Sequence, residues 1–156
     1  MLRALLTASP ALCVAIAPAS AQKATPQLVG ARRVVEFCDV AAPGDTTYPL
    51  GTRPIGLFIY HPSGALMIQA MRTPRRAAFA ADSIPFSGMG ELRESYFGYF
   101  GTYTITSDST VVHHVIGGTI TDYVGTDQPR HYRIRGDTLS ISGSEPPSCR
   151  RLIRVR

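Results

Sequence analysis

The chain has 156 residues, 44% of them hydrophobic and 17% charged, with a formal net charge of +5. That is one domain's worth of polypeptide with enough apolar surface to offset the entropy of ordering it, so a large multidomain enzyme and a globally disordered chain are both excluded. The positive excess is carried by arginine, since Lys23 is the only lysine, and no basic helix, zinc spacing or aromatic-interleaved basic stretch accompanies it, so nucleic acid is not expected as a partner.

Met1-Leu2-Arg3 opens the chain, an apolar run follows to about Ala17, and Ala19-Ser20-Ala21 precedes Gln22. A positive start, an apolar stretch and small residues at a cleavage site describe a removed secretory signal over residues 1–21. The run is interrupted by Pro10 and is shorter than the ~20 residues that cross a bilayer, so no transmembrane anchor is expected. The mature chain is expected to be exported, periplasmic or secreted, with a short polar linker over 22–27 and one domain over 28–156. Loss of the leader removes Cys13 and leaves Cys38 and Cys149, an even pair that predicts one disulfide in an oxidising compartment.

From there the dominant signal is a series of short apolar and β-branched runs separated by turn residues. They predict strands near 31–40, 55–60, 65–72, 98–106, 110–116, 120–124, 130–135 and 138–142, with 151–155 as the closing strand if the weak run at 120–124 is discounted. Pro62-Ser63-Gly64, Ser107-Asp108-Ser109 and Gly136-Asp137 each supply hairpin chemistry between neighbouring runs. The one helical candidate is 90–97, a possible lid or plug. Consecutive antiparallel strands in this number predict an all-β fold, a closed barrel of about eight strands with one short helix, and a sandwich as the alternative.

Several motifs occur in a fixed order: Tyr48-Pro49-Leu50-Gly51, Gly56-Leu57-Phe58-Ile59-Tyr60, Tyr99-Phe100-Gly101-Thr102-Tyr103, Val111-Val112-His113-His114-Val115, Val124-Gly125-Thr126-Asp127-Gln128-Pro129-Arg130 and Gly136-Asp137-Thr138-Leu139. Together they resemble the bacterial and fungal lipocalin-like domain family over roughly residues 28–142. The resemblance implies a small calycin-type barrel that binds a small apolar or amphipathic molecule. The chain departs from the family at Gly30-Ala31-Arg32, where relatives carry Gly-x-Trp, and it has no tryptophan. The aromatic plug at the barrel floor is therefore missing, and Tyr123 stands where relatives often have tryptophan.

Strand parity then sorts the side chains. In 130–135, His131, Arg133 and Arg135 belong outside, leaving Arg130, Tyr132 and Ile134 inside. An inward guanidinium needs a carboxylate or an anionic ligand. In 98–106 the threonines mark the solvent face, so Tyr99 and Tyr103 point in. His113 and His114 are adjacent on one strand, so they face opposite ways and cannot jointly hold an internal metal. Local alternation does not choose between them, while the polar residues that relatives often carry at the positions of Val112 and Ile116 favour His113 inward. In 65–72, Leu66, Ile68 and Ala70 alternate with Met67, Gln69 and Met71; either set suits a cavity wall, and Met67 and Gln69 are candidate ligand contacts. Asp127-Gln128 either caps a loop or orients Arg130. No cofactor is expected, and no serine sits in a nucleophile elbow. The expectation is an exported binding protein for a small hydrophobic or amphipathic, anionic molecule. The alternatives are an isomerase or cyclase using His113 and Arg130, and a structural or protein-interaction envelope domain.

Overall fold

Alternating apolar and polar residues bury every second side chain when a strand lies in a sheet with one face on the core, and from β3 to β9 the strands pair in chain order. The structure, a computed structural model, describes residues 27–42, 44–73, 95–143 and 148–156. Its strands are β1 (Gly30–Ala42), β2 (Asp45–Thr47), β3 (Ile55–Tyr60), β4 (Ala65–Met71), β5 (Tyr96–Ser107), β6 (Thr110–Gly118), β7 (Asp127–Arg135), β8 (Thr138–Ser142) and β9 (Ser148–Arg154). All pairings are antiparallel, in the order β2-β1-β3-β4-β5-β6-β7-β8-β9. β1 also pairs with β9, from Arg32↔Arg154 to Asp39↔Ser148, which closes eight strands into a barrel. The short β2 only extends the far end of β1.

The expected disulfide is present. Cys38 and Cys149 are register partners across the β1–β9 seam, with Cα atoms 5.0 Å apart. A bridge closing a loop of 111 residues stabilises the fold by about 4–5 kcal/mol in the chain-entropy account.

Two expected elements differ. Residues 120–124 are not a strand: Thr121–Tyr123 form a 3-10 turn, with Tyr123 N–H donating to Ile120 O (3.0 Å) and Val124 N–H to Thr121 O (3.1 Å). The stretch is pinned between Gly118 and Gly125, both at positive φ, and its Thr-Asp pair favours a local turn over a ladder. The helical candidate at 90–97 falls largely outside the described residues, and Tyr96 and Phe97 belong to β5, paired with Met71 and Ala70. Aromatic residues gain more from packing on a pleated sheet than from one helical turn.

The two ends of the barrel are built differently. At one end lie the tight hairpins β3–β4, β5–β6 and β7–β8; Gly136, at φ +56°, is the first central residue of the last of these, a conformation only glycine adopts without strain. Residues 27–29 cross this end, and Leu28, Tyr60, Val111, Leu139 and Leu152 are all fully buried there. Arg32, in the place where relatives have tryptophan, is also fully buried. Its guanidinium donates to Asp137 O (3.1 Å) and Gln27 O, so the plug is a long aliphatic stem with its charge spent on backbone carbonyls. Burial, helped by the neighbouring Arg154, lowers its pKa. Among the described residues, the barrel is hollow toward the other end.

Candidate ligand-binding site

Inward positions near the open end enclose a cavity of about 380 Å³. Its apolar wall comes from Phe37 of β1, Phe58 of β3, Phe97 of β5, Ile141 of β8, and Ile120 and Tyr123 around the 3-10 turn. The polar groups facing it include Asp39, Tyr99, His113, Gln128, Arg130 and Arg150, with Ser142 and Ser148 at its edge. A concave apolar space with a few convergent polar groups, at the small end of the usual 300–1,000 Å³ range, is what small-molecule sites look like. A broader groove of about 810 Å³ lies over the outer wall, where His131, Arg133, Ser140 and Arg151 face away from the interior.

Arg130 takes the inward position that strand parity assigns to it. Its Nη1 donates to Pro129 O (2.9 Å), its Nη2 to Gln128 Oε1 (3.2 Å), and its guanidinium lies 5.4 Å from the centre of the Tyr123 ring. No carboxylate among the described residues is within ion-pair distance of it. Gln128 thus orients Arg130, whereas Asp127 turns outward to meet His114 Nδ1 at 2.6 Å.

Arg150, unlike Arg130, has a carboxylate partner among the described residues. Its Nη2 donates to Asp39 Oδ1 (2.7 Å), Nη1 to the carbonyls of Cys38 and Cys149, and the guanidinium stacks 3.5 Å above Phe37. Burial lowers its pKa, opposed by Asp39. The charges of Arg150 and Asp39 cancel, so among the described residues the cavity presents one net positive charge, that of Arg130.

His113 is the inward histidine and is fully buried. The imidazole is bracketed by two phenols: Tyr60 Oη is 3.0 Å from Nε2 and Tyr99 Oη is 2.7 Å from Nδ1. Burial, with the charges of Arg130 and His114, pulls its pKa down to about 3, so the ring is neutral at physiological pH. Burial likewise pushes Tyr60 well up and Tyr99 up to about 12, the latter against the pull of Arg130. At neutral pH the triad is three neutral groups beside one cation.

The remaining expected contacts lie elsewhere. Tyr103 and Tyr132 point inward but pack in the filled half, their hydroxyls donating to His61 O (2.9 Å) and Ser107 O (3.3 Å). Met67 and Gln69 are corrected outright: they face outward, Met67 at 46% exposure, while Leu66, Ile68 and Ala70 are buried. Putting Gln69 inside would strand an amide in an apolar wall, and a one-residue alternation carries the methionine with it.

Arg150 shares the inward parity of buried Leu152 on β9 and was legible there, whereas Phe37 and Asp39 escape a parity reading that starts from Ala31. A bulge between Val34 and Glu36 shifts the register of β1, so alternation restarts there. Tyr60 as a partner of His113 is legible only as an apolar strand end. Among the described residues no group of three or more His, Cys, Asp or Glu side chains is placed to hold a metal ion, and no helix is long and apolar enough to cross a membrane.

No curated protein matches the chain. The family model of the lipocalin-like domain matches residues 29–149, which spans β1 to β8 and ends at the seam disulfide near the start of β9. With that match over most of its length, this chain belongs to the lipocalin-like domain family.

Proposed function

We propose that this protein is an exported carrier that holds one small amphipathic anion in the open half of its barrel. The observation that carries the reading is the unequal fate of the two cavity arginines. Arg150 is neutralised by Asp39 at 2.7 Å, while Arg130 is oriented into the same cavity by Gln128 with no described carboxylate near it. A half-desolvated cation that faces apolar walls favours an anion with a greasy tail. The walls of Phe37, Phe58, Phe97 and Ile141 supply affinity, and Arg130 fixes the head.

The arrangement favours a carrier over an isomerase or cyclase. Both ring nitrogens of His113 are engaged by tyrosines, and a group whose pKa is near 3 is a poor base at neutral pH. Export rests on the leader pattern over 1–21 and accords with the Cys38–Cys149 bridge.

Native mass spectrometry of protein recovered from outside the cytoplasm tests both halves. The expected result is a chain beginning at Gln22 with an acidic small molecule bound one to one. A chain retaining Met1, or protein that carries no adduct and takes up no decanoate on titration, contradicts the proposal.

A further inference from the structure

The donors around His113 have only one arrangement that leaves none stranded. Tyr60 is fully buried, does not line the cavity, and among the described residues its hydroxyl has a single hydrogen-bonding partner, His113 Nε2. Suppose Nε2 carried the proton and donated to Tyr60. The Tyr60 hydrogen would then sit in the core without an acceptor, a loss that disfavours this state by roughly tenfold or more. If Tyr60 donates to Nε2 instead, the neutral ring keeps its proton on Nδ1, which donates to Tyr99 Oη. Both separations, 3.0 and 2.7 Å, fit either direction, so the count of donors decides rather than the distances. Tyr99, unlike Tyr60, lines the cavity, and its own hydrogen is then released toward the space beside Arg130.

We infer that His113 is a positioning residue, locked by Tyr60 as the Nδ1–H tautomer, and that it makes the Tyr99 hydroxyl a donor aimed at the ligand head next to Arg130. The inference rests on the carrier reading and narrows it. Two donors of different kinds, a phenol and a guanidinium, converge on one head group. That head is a carboxylate, with one oxygen for each, and an alcohol or ester of the same tail is a weaker ligand. In the opposite tautomer Tyr99 would offer the cavity only lone pairs, and these repel an anion.

Two measurements test this on the full mature protein. In the ligand-free state, long-range proton–nitrogen NMR of 15N-labelled protein should show His113 with a pyrrole-type Nδ1 and a pyridine-type Nε2; the reverse pattern overturns the inference without touching the carrier reading. Second, displacement of an anionic fluorophore by decanoate and by decanol gives an affinity ratio, which Tyr99→Phe should lower by roughly tenfold while leaving decanol binding nearly unchanged. A ratio that Tyr99→Phe does not move overturns the head-group assignment. Wild-type protein that binds neither compound removes the carrier reading itself, whatever the tautomer.

Discussion

The two ends of the barrel each bury arginine, and they do opposite things with it. At the closed end Arg32 is sealed, with its guanidinium bonded to the backbone carbonyls of Asp137 and Gln27. At the open end Arg130 is aimed by Gln128 across a cavity whose other arginine, Arg150, is tied to Asp39. Residue type and inward direction are the same in both cases. On the proposed reading, what separates a structural cation from a recognition site is the partner: fixed carbonyls in a filled core or, among the described residues, the wall of an apolar cavity. The lipocalin-like barrel thus divides into a half that holds the fold and a half that is free to hold something else.

That division breaks first at the seam. Among the described residues the fully buried core side chains gather at the closed end, and the Cys38–Cys149 bridge ties the seam at the other, beside Arg150. Replacing both cysteines with serine should destabilise the protein by about 4–5 kcal/mol in urea, the largest effect of the set. A loss below about 1 kcal/mol would mean that strand pairing alone holds β1 to β9.

The next effect reads the boundary between the halves, where His113 sits. Its folded pKa of about 3 lies below the ordinary value of 6.5. As pH falls below about 6.5 the unfolded chain takes up a proton that the folded chain refuses, so stability falls with falling pH down to about 3 and loses nothing further below it. By about pH 4 this contribution amounts to roughly 3 kcal/mol. Urea midpoints of wild type and His113→Gln, compared near neutral pH and near pH 4, should diverge, the wild type losing more on acidification. Parallel losses would show that the imidazole titrates freely.

At the closed end, Arg32→Ala leaves a void and takes one donor from each of the carbonyls of Asp137 and Gln27, which Arg154 still reaches, and should cost about 2 kcal/mol of stability while leaving ligand selectivity unchanged. A change in selectivity would mean that the floor communicates with the site. The contrast with Arg130 would then be weaker than the geometry indicates.

The same division governs how much could be read in advance. The closed end announces itself in sequence: Pro62-Ser63-Gly64, Ser107-Asp108-Ser109 and Gly136-Asp137 are local turn signals, and each became a hairpin. Inward Arg130 and Tyr99 followed from alternation along β7 and β5, whereas the choice of His113 over His114 rested on the family resemblance, because both parities of β6 carry apolar residues. The open end is set by non-local features. The β1 bulge reverses parity between Val34 and Glu36, which conceals Asp39, and hence the pairing that neutralises Arg150. The turn at Thr121–Tyr123 places Tyr123 6.0 Å from Tyr99, a contact that no periodicity encodes. In β4 both alternating sets are apolar except at Gln69, and that one amide was the available sign that its face is the outer one. Arg32 as a floor plug was invisible because a lone arginine at a strand start reads as solvent-facing until the carbonyls that receive it are placed.

The smallest energy effect is the most direct test, because it asks only whether the guanidinium in the cavity reads charge. Arg130→Met keeps the stem and removes the cation, so displacement measurements should show decanoate affinity falling roughly tenfold relative to decanol, with the urea midpoint nearly unchanged. Equal losses for the acid and the alcohol, or a collapse in stability, would place Arg130 with Arg32 among the residues that hold the barrel together and contradict a site for an anion.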